Sequence, residues 1–492
     1  MLVVISDLHL TDGSSGASIP PGAFQICAER LRDLAIGGSF RADGSYRPIE
    51  GVDLLLLGDI IDVIRSTQWL STEVRPWSNL QAPALPQLVS QITADVLAHN
   101  EPGVNILRWL ATQNLLRIPP ANRMGQPVYQ AESQPVPVRI HYLVGNHDWL
   151  LHVPGREYDA ARALVTQRLG LNNRPDVPFP HDPNESQEIL DVLRKHKVFA
   201  RHGDIFDPLN FAGDRCASSL GDAVVIELLN RFSLTVANEL GNDLPEATIL
   251  GLRELDNVRP SLLAPVWIDG LLERTCALPA ARKQVKVIWD RLVDQFLQLD
   301  FVRAQDSLSP FDMVSNLERV LKFSKRLSLG WSSAIVEFWQ KLRGRDEDSY
   351  YPHALAEQDF RNRRAKHIIY GHTHLAEYVP LDASHAEGFV LNQGYFNSGT
   401  WRRVHRATQF APAEHEFIAA ESMTYLAFFQ GDERSGRPYE TWTGTLGINP
   451  VEAPQLRIDP PHTQGGAMSG AIPAPHFSPA TMPTGIVPTR RA

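Results

Sequence analysis

Cysteine is scarce in this sequence. Only three occur among 492 residues, Cys27, Cys216 and Cys276, and no two of them form a CxxC pair. Such scattered thiols argue against a disulfide framework or a thiolate metal site, and they are typical of proteins from a reducing compartment. We expect each cysteine to be a buried apolar side chain.

Long apolar runs are also lacking. The strongest, Val52 to Leu57 and Ala223 to Leu229, are much shorter than the roughly 20 residues that cross a bilayer. The apolar start, Leu2 to Ile5, is cut short by Ser6 and Asp7. It is too brief for the core of a signal peptide and predicts a first strand instead. We therefore expect a cytoplasmic protein.

The chain has no excess of basic residues. It carries 47 Lys and Arg against 56 Asp and Glu, a formal net charge of -9. This balance argues against nucleic-acid binding driven by phosphate neutralisation. A hydrophobic content of 43% with 21% charged residues is ordinary for a globular protein. The length allows two or three domains.

Short apolar runs alternate with helical patterns over the first two hundred residues, which indicates an α/β layer fold. The runs that predict buried strands are Leu2 to Ile5, Val52 to Leu57, Val138 to Val144 and Val198 to Ala200. The helix candidates are Ala23–Ala35, Leu85–His99 and Gly103–Leu116.

The pattern changes from about residue 208 to residue 350. Apolar residues there recur at spacings of three and four, which predicts a helical insertion and a candidate lid. Strand patterns return at His367–Tyr370, Tyr395–Trp401 and Met423–Phe429, so residues 1–207 and 351–450 are expected to form one core. Residues 451–492 contain eight prolines among small residues, a composition that predicts disorder.

Five polar motifs follow predicted strands. They are Asp7-Leu-His9, Gly58-Asp-Ile-Ile-Asp62, Gly145-Asn-His-Asp148, His202-Gly-Asp204 and Gly371-His-Thr-His374. Polar residues at the carboxyl ends of strands in an α/β sheet face the crevice where such folds bind ligands. Carboxylates, one amide and several imidazoles, with no thiolate, suit divalent ions such as Mn²⁺, Fe²⁺ or Zn²⁺.

Each motif alone also has a structural interpretation. A strand-end Asp often caps the next helix, and a lone His is more often packed than metal-bound. Gly-Asp is common, recurring at Gly203, Gly221 and Gly431, whereas Gly-Asn-His-Asp and Gly-His-Thr-His are rare by average residue usage. Because all five motifs occur together, each after a strand, we favour a metal site.

The series resembles the pattern DxH, GDxxD, GNH[DE], H, GHxH of the calcineurin-like metallophosphoesterase superfamily. The resemblance covers about residues 1–207 and 351–430. It implies a four-layer α-β-β-α sandwich and two divalent metal ions, with Mn²⁺ as first choice and Fe²⁺ or Zn²⁺ as alternatives. It assigns one ion to Asp7, His9, Asp59 and His374, and the other to Asp59, Asn146, His202 and His372. A bridging Asp59 would hold the ions about 3.5–4 Å apart.

The resemblance also implies a chemical step. A phosphate ester or anhydride would be hydrolysed by a hydroxide that bridges the two ions. His147 would protonate the leaving oxygen, and Asp62 would orient its ring, as in the related protein phosphatases. The alternative for Asp62 is a simple helix cap. We prefer His202 to the nearby His196 as a ligand, because His202 ends a strand and opens a glycine turn.

Departures from the known subclasses leave the substrate open. Val63-Ile64 replaces the Arg-Gly of the protein phosphatases. The stretch Ile5 to Leu10 and the form His202-Gly-Asp204 resemble UDP-2,3-diacylglucosamine hydrolases, but those typically have Arg where this chain has His147. We favour a phosphodiesterase or pyrophosphatase over a phosphomonoesterase. The alternatives are a catalytically silent scaffold of the same fold and a DNA nuclease.

The insertion offers one indication of the substrate. Residues 315–345 carry seven basic and two acidic side chains interleaved with tryptophan and aliphatic residues. Such a stretch suits the binding of a small-molecule or lipid-linked phosphate substrate, with peripheral contact to a membrane. The alternative is that it forms a solvated helix face. The oligomeric state is left open.

Overall fold

The computed structural model describes residues 1–259, 263–305, 317–322, 349–382, 385–386, 389–390, 393–407 and 417–445. These residues form a mixed α/β structure. The described residues all belong to one compact unit. The predicted disordered tail, residues 451–492, lies outside the described residues, and so does most of the basic stretch 315–345.

The α-helices are labelled in chain order. They are α1 (Pro21–Gly38), α2 (Ala84–His99), α3 (Glu101–Thr112), α4 (Asp159–Leu169), α5 (Gln187–Lys195), α6 (Leu220–Ala223), α7 (Arg231–Leu240), α8 (Glu246–Arg253), α9 (Ala264–Thr275), α10 (Pro279–Leu297), α11 (Asp300–Ala304), α12 (Tyr351–Ala356) and α13 (Gln358–Arg361). A π-helix, Val224–Asn230, joins α6 to α7. Residues 317–322 are also helical.

The strands are labelled in the same way. They are β1 (Leu2–Ile5), β2 (Val52–Leu57), β3 (Arg117–Ile118), β4 (Gln134–Pro135), β5 (Val138–Leu143), β6 (Val198–Ala200), β7 (Val258–Arg259), β8 (His367–Tyr370), β9 (Ala376–Asp382), β10 (His385–Ala386), β11 (Phe389–Val390), β12 (Gln393–Ser398), β13 (Val404–Ala407), β14 (Phe417–Ala420), β15 (Ser422–Phe428) and β16 (Tyr439–Thr445).

Two sheets dominate the core. One has the order β16-β15-β1-β2-β5, and the other has the order β6-β8-β12-β9. In the first sheet β1, β2 and β5 run parallel, and in the second β6, β8 and β12 run parallel. Each parallel set therefore presents the carboxyl ends of its strands, and the loops that follow them, at one edge.

The hydrophobic core explains how the sheets are covered. Val4, Leu55, Ile369 and Phe396, which come from both sheets, belong to one buried cluster. The alternate residues of β1 and β2 pack instead with α1 to α4. Side chains that alternate along a strand point to opposite faces, so the first sheet is buried on both sides. The continuous apolar sequence of β2 matches this burial.

The segment between residues 208 and 350 has its own apolar cluster, contributed mainly by α6 to α10. The π-helix links it to the core, because Val225 and Ile226 pack with the first sheet's cluster while Leu228 and Leu229 pack with the helices. A second link is β7, which pairs in parallel with β13. Among the described residues, no helix combines the length and apolarity needed to cross a membrane.

Most predicted core elements are present within a few residues of their expected ends. Helix α3 stops at Thr112, before the predicted end at Leu116, because the chain turns there into β3. The strand expected at Tyr395–Trp401 begins two residues earlier and ends at Ser398. No strand was predicted between residues 208 and 350, yet β7 lies there; two residues are too few to produce a strand pattern.

One buried histidine of the core predicts a pH effect on stability. His367 packs against the rings of Phe396, Phe428 and Tyr439. Burial lowers its pKa from 6.5 to about 4. The folded state therefore favours the neutral ring, and the stability it contributes is lost as pH falls from about 6.5 towards 4. At pH 5 the loss is about 2 kcal/mol.

We expect His367→Phe to remove this effect while keeping an aromatic ring in place. The free energy of unfolding should then fall less between pH 7 and pH 5, by about 2 kcal/mol. Urea unfolding at both pH values in the presence of EDTA measures this free energy without a contribution from metal release. His99→Gln, at an exposed position, is the control. An unchanged difference in the Phe variant would contradict the prediction.

Candidate metal centre

The candidate ligands all follow strands of the two sheets. Asp7 and His9 follow β1, and Asp59 follows β2. Asn146 follows β5 in the same sheet. The remaining three, His202 after β6 and His372 and His374 after β8, come from the second sheet. All seven are brought together, because the parallel strand ends of both sheets meet at the same place.

The first ligand group consists of Asp7, His9 and His374. Nε2 of His9 lies 2.9 Å from Nε2 of His374. Nε2 of His374 is 3.3 Å from Asp7 Oδ1, and Nε2 of His9 is 3.8 Å from the same oxygen. All three residues are buried. Two imidazole nitrogens and one carboxylate oxygen therefore converge on one point.

The second ligand group consists of Asp59, His202 and His372. Their ligand atoms lie within 4.8 Å of one another. Nε2 of His202 is 3.2 Å from Asp59 Oδ2. Asn146 joins this group, because its Oδ1 lies 3.0 Å from Nδ1 of His372. Nδ1 of His202 is held by the Leu57 carbonyl at 2.9 Å, which leaves Nε2 as its ligand atom.

Asp59 connects the two groups. Its Oδ2 lies 3.7 Å from Nε2 of His9, in the first group, as well as 3.2 Å from Nε2 of His202. Its Oδ1 accepts a hydrogen bond from the backbone N–H of His147 at 2.8 Å. The carboxylate is thus oriented by the neighbouring loop, with one oxygen directed between the two groups.

The backbone of the site is strained. Five candidate ligands, Asp7, His9, Asp59, His372 and His374, have left-handed φ values between 46° and 65°. They are half of the ten described non-glycine residues in that region. Residues that carry a Cβ adopt it at a cost of about 1–3 kcal/mol each, which is typical of functional sites.

Two motif glycines make room for the ligands. Gly58 has a φ of +81°, and a Cβ there would collide with the His202 ring. A Cβ at Gly145 would collide with the Asp59 carboxylate and with the same ring. The glycines of Gly-Asp and Gly-Asn-His-Asp are therefore required by the close approach of two ligands to the backbone.

The charges of the site suit bound cations. Burial alone would raise the pKa of Asp59, but the imidazoles of His202 and His147 hold it well below its usual range. Within the described residues, Asp7 and Asp59 form ion pairs with histidines and with no Lys or Arg. Nε2 of His202 is buried and faces Asp59 Oδ2 at 3.2 Å without hydrogen-bond geometry. Buried carboxylates and an imidazole nitrogen that converge in this way fit a metal ion.

His147 and Asp62 lie beside the first ligand group. Asp62 Oδ1 is 2.8 Å from Nδ1 of His147, and its Oδ2 is 2.9 Å from Nδ1 of His9. Asp62 also accepts from the backbone N–H of Arg65 at 3.1 Å, so it caps a turn and orients two imidazoles. Burial alone would lower the pKa of His147, but Asp62 and Asp59 outweigh it and raise the pKa to about 10.

Asp148, the last residue of Gly-Asn-His-Asp, ties the motif loops together. It accepts hydrogen bonds from the backbone N–H groups of Ile60 at 2.9 Å and Gly145 at 2.6 Å. It also accepts one from the Tyr142 hydroxyl at 2.5 Å. Burial and the charge of Asp59 raise the pKa of Asp148 to about 6. Its role is to fix the loops that carry Asp59 and Asn146.

Four other described histidines, His141, His152, His181 and His196, lie apart from the two ligand groups. His141 pairs with Asp53 within the first sheet. His196 Nδ1 is held by the Val192 carbonyl, and burial lowers its pKa to about 4. A separate set, His152, His181 and Glu185, could also approach an ion, but Glu185 already accepts from backbone N–H groups in a capping box.

Sequence reasoning missed one residue of the site, Asp207. Its Oδ2 lies 3.0 Å from Nε2 of His372 and accepts from Asn210 Nδ2 at 2.8 Å. Nδ1 of His372 faces Asn146, so Asp207 orients the ring through the opposite nitrogen, Nε2. No motif marks it, although its position five residues after His202 places it on the same loop.

We expect Asp207→Asn to weaken metal binding at the second ligand group by about 10–100-fold, because such partners fix the orientation and basicity of a ligating imidazole. Titration of chelated protein with Mn²⁺ against a fluorescent chelator measures the affinity. Asp214→Asn is the matched control, since Asp214 is exposed and caps only the Cys216 N–H. Equal affinities in wild type and Asp207→Asn would show that Asp207 does not support the site.

No protein-family model matches the chain, and no curated protein matches it.

Proposed function

We propose that the protein is a metal-dependent hydrolase of phosphate esters or anhydrides, with two divalent ions in the site. One observation carries the proposal: two groups of buried imidazole and carboxylate ligands lie side by side and share Asp59. Paired ions about 3.5–4 Å apart are typical of enzymes that transfer phosphoryl groups. Mn²⁺ is the first choice, with Fe²⁺ and Zn²⁺ as alternatives.

The fold supports the same proposal. Two sheets share an apolar cluster, helices α1 to α4 cover the first sheet, and Ala354 of α12 packs on the outer face of the second. We propose that these are the layers of an α-β-β-α metallophosphoesterase sandwich. Loops at the carboxyl ends of both sets of parallel strands would then meet above the sandwich and hold the ions.

The residues of the site have separate roles in this proposal. Asp7, His9, Asp59 and His374 hold one ion, and Asp59, Asn146, His202 and His372 hold the other. Bound there, the ions would polarise the phosphoryl group and activate water at neutral pH. His147, with Nδ1 fixed by Asp62, keeps Nε2 to donate a proton to the leaving oxygen. Burial alone would lower the pKa of this ring, but the Asp62 carboxylate raises it and so favours the protonated form.

The segment 208–350 is proposed to act as a lid over the site. It lies between His202 and His372, two members of the second ligand group, so both of its ends start near the ions. A lid contributes binding to parts of the substrate that do not react. We favour a phosphodiester or phosphoanhydride over a phosphomonoester as the substrate, and the role of His147 implies a leaving oxygen that is too basic to depart without a proton.

A metal-supplemented activity screen tests the proposal. Purified protein with Mn²⁺ is assayed on bis-p-nitrophenyl phosphate, p-nitrophenyl phosphate and nucleotide diphosphate sugars, and then again after EDTA treatment. We expect hydrolysis of at least one substrate, abolished by EDTA and restored by Mn²⁺. Full metal content without any hydrolysis would favour a silent scaffold. Tight DNA binding that weakens steeply with salt would favour a nuclease.

A further inference from the structure

Two arginines lie against His374 on the side away from the ligand groups. Nη2 of Arg259 is 3.1 Å from Nδ1 of His374, and Nη2 of Arg406 donates to the His374 carbonyl at 3.1 Å. The two residues are direct partners in the parallel pairing of β7 with β13. One cation comes from the segment 208–350 and the other from the second part of the core. Both meet at a candidate metal ligand.

The hydrogen bonds of Arg259 to its own segment go to neutral carbonyl groups, while the carboxylates of Asp256 and Asp7 favour its charge without contacting it. Its Nη1 donates to the carbonyls of Asp256 at 2.6 Å and Val258 at 3.1 Å, both from its own segment. In the part of the chain that the structure describes, no carboxylate forms an ion pair with Arg259. A partly buried guanidinium that is held by neutral acceptors is stabilised further when an anion binds it directly.

Nδ1 of His374 can accept a hydrogen bond from Arg259 only while the imidazole ring holds no metal ion. Nε2 of His374 is the nitrogen directed at Asp7 and His9. A neutral imidazole that gives Nε2 to a metal carries its proton on Nδ1, and an N–H cannot accept from a guanidinium. When Nε2 holds an ion, Nδ1 therefore no longer accepts from Arg259, whose Nη2 is then open to another acceptor.

We propose that Arg259 and Arg406 form an oxyanion subsite that binds an anionic group of the substrate other than the phosphate that reacts. The proposal rests on the proposed function and narrows it to substrates with at least two anionic groups. Guanidinium groups suit this role because their planar forks bind phosphate or carboxylate oxygens in pairs. Since Arg259 belongs to the segment 208–350, that segment would then contribute directly to specificity.

Equilibrium binding tests the subsite without relying on turnover. Calorimetry on Mn²⁺-loaded protein compares α,β-methylene-ADP, which carries two phosphates and resists cleavage between them, with AMP, which carries one. We expect wild type to bind the two-phosphate ligand about 10–100-fold more tightly, and Arg259→Gln to lose most of that preference. The ratio of the two affinities is the readout, because a general loss of metal affects both ligands.

Two further variants complete the design. Arg406→Gln, on the core side, should reduce the ratio as well. Arg403→Gln should leave the ratio unchanged. Arg403 lies three residues before Arg406 but pairs with Glu421 and not with His374. A wild type without preference, or an Arg259→Gln variant with the full preference, would overturn the subsite. Failure of the proposed function is separate: it would appear as absent hydrolysis of every substrate in the metal-supplemented screen.

Discussion

Asp59→Asn is expected to empty both metal positions. The shared carboxylate approaches His9 and His202, one from each ligand group, so its charge stabilises cations on both sides. Removing one member of a buried charge pair costs about 3–5 kcal/mol, which corresponds to about 10²–10⁴-fold weaker binding. Elemental analysis after dialysis should show both ions depleted, and hydrolysis should fall with them.

Asp53→Asn is the matched control for this test. Asp53 is another buried aspartate, on β2, where it pairs with His141 and Arg139 and has a pKa lowered to about 2. Asp53→Asn should cost stability but leave the metal content at the wild-type level. If Asp59→Asn retains a full complement of ions, Asp59 does not bridge. If it loses one ion only, Asp59 serves a single group.

The candidate ligands could be found from sequence because each follows a strand that the sequence makes visible. The apolar runs at Leu2–Ile5 and Val52–Leu57 are strands in the structure, with the same bounds. Once such strands lie parallel, the residues after them must meet. Strand position predicts that the motifs containing Asp7, Asp59 and Asn146 face one crevice, the resemblance to metallophosphoesterases singled out these residues as ligands, and they do lie at one site.

The partners supplied by other segments could not be found in this way. Asp207 reaches His372 from a turn without a repeating pattern, and Arg259 reaches His374 from a strand of two residues. Asp256 likewise pairs with the buried Arg65 and Arg402 across three segments. These contacts depend on how the segment 208–350 packs against the core, and packing of that kind has no local sequence signal.

The π-helix shows the same limit on the helical side. Apolar spacing between residues 208 and 350 predicts helices, and the structure has α6, a π-helix and α7 in succession there. Glu227 of the π-helix pairs with Arg75 in the core and with Arg231 of α7. Apolar spacing predicts neither the π-helix nor the ion pair to the core.

His147→Ala is expected to reduce kcat by about 10²–10⁴-fold while the metals stay bound. In the proposed function His147 contributes a proton and not a ligand atom, since its Nδ1 is 2.8 Å from Asp62, a carboxylate that favours the protonated ring. The loss should depend on the leaving group. A p-nitrophenolate hardly needs protonation, so aryl phosphodiesters with increasingly basic leaving groups should show increasingly large losses.

The comparison across leaving groups distinguishes this role from a structural one. His141→Ala removes another buried histidine of the same strand region, paired with Asp53 outside the site, and should change kcat equally little for every ester. Asp62→Asn should resemble His147→Ala in its leaving-group dependence, but with weaker metal binding as well, because Asp62 also orients His9. Equal losses for good and poor leaving groups in His147→Ala would show that its ring is not the proton donor.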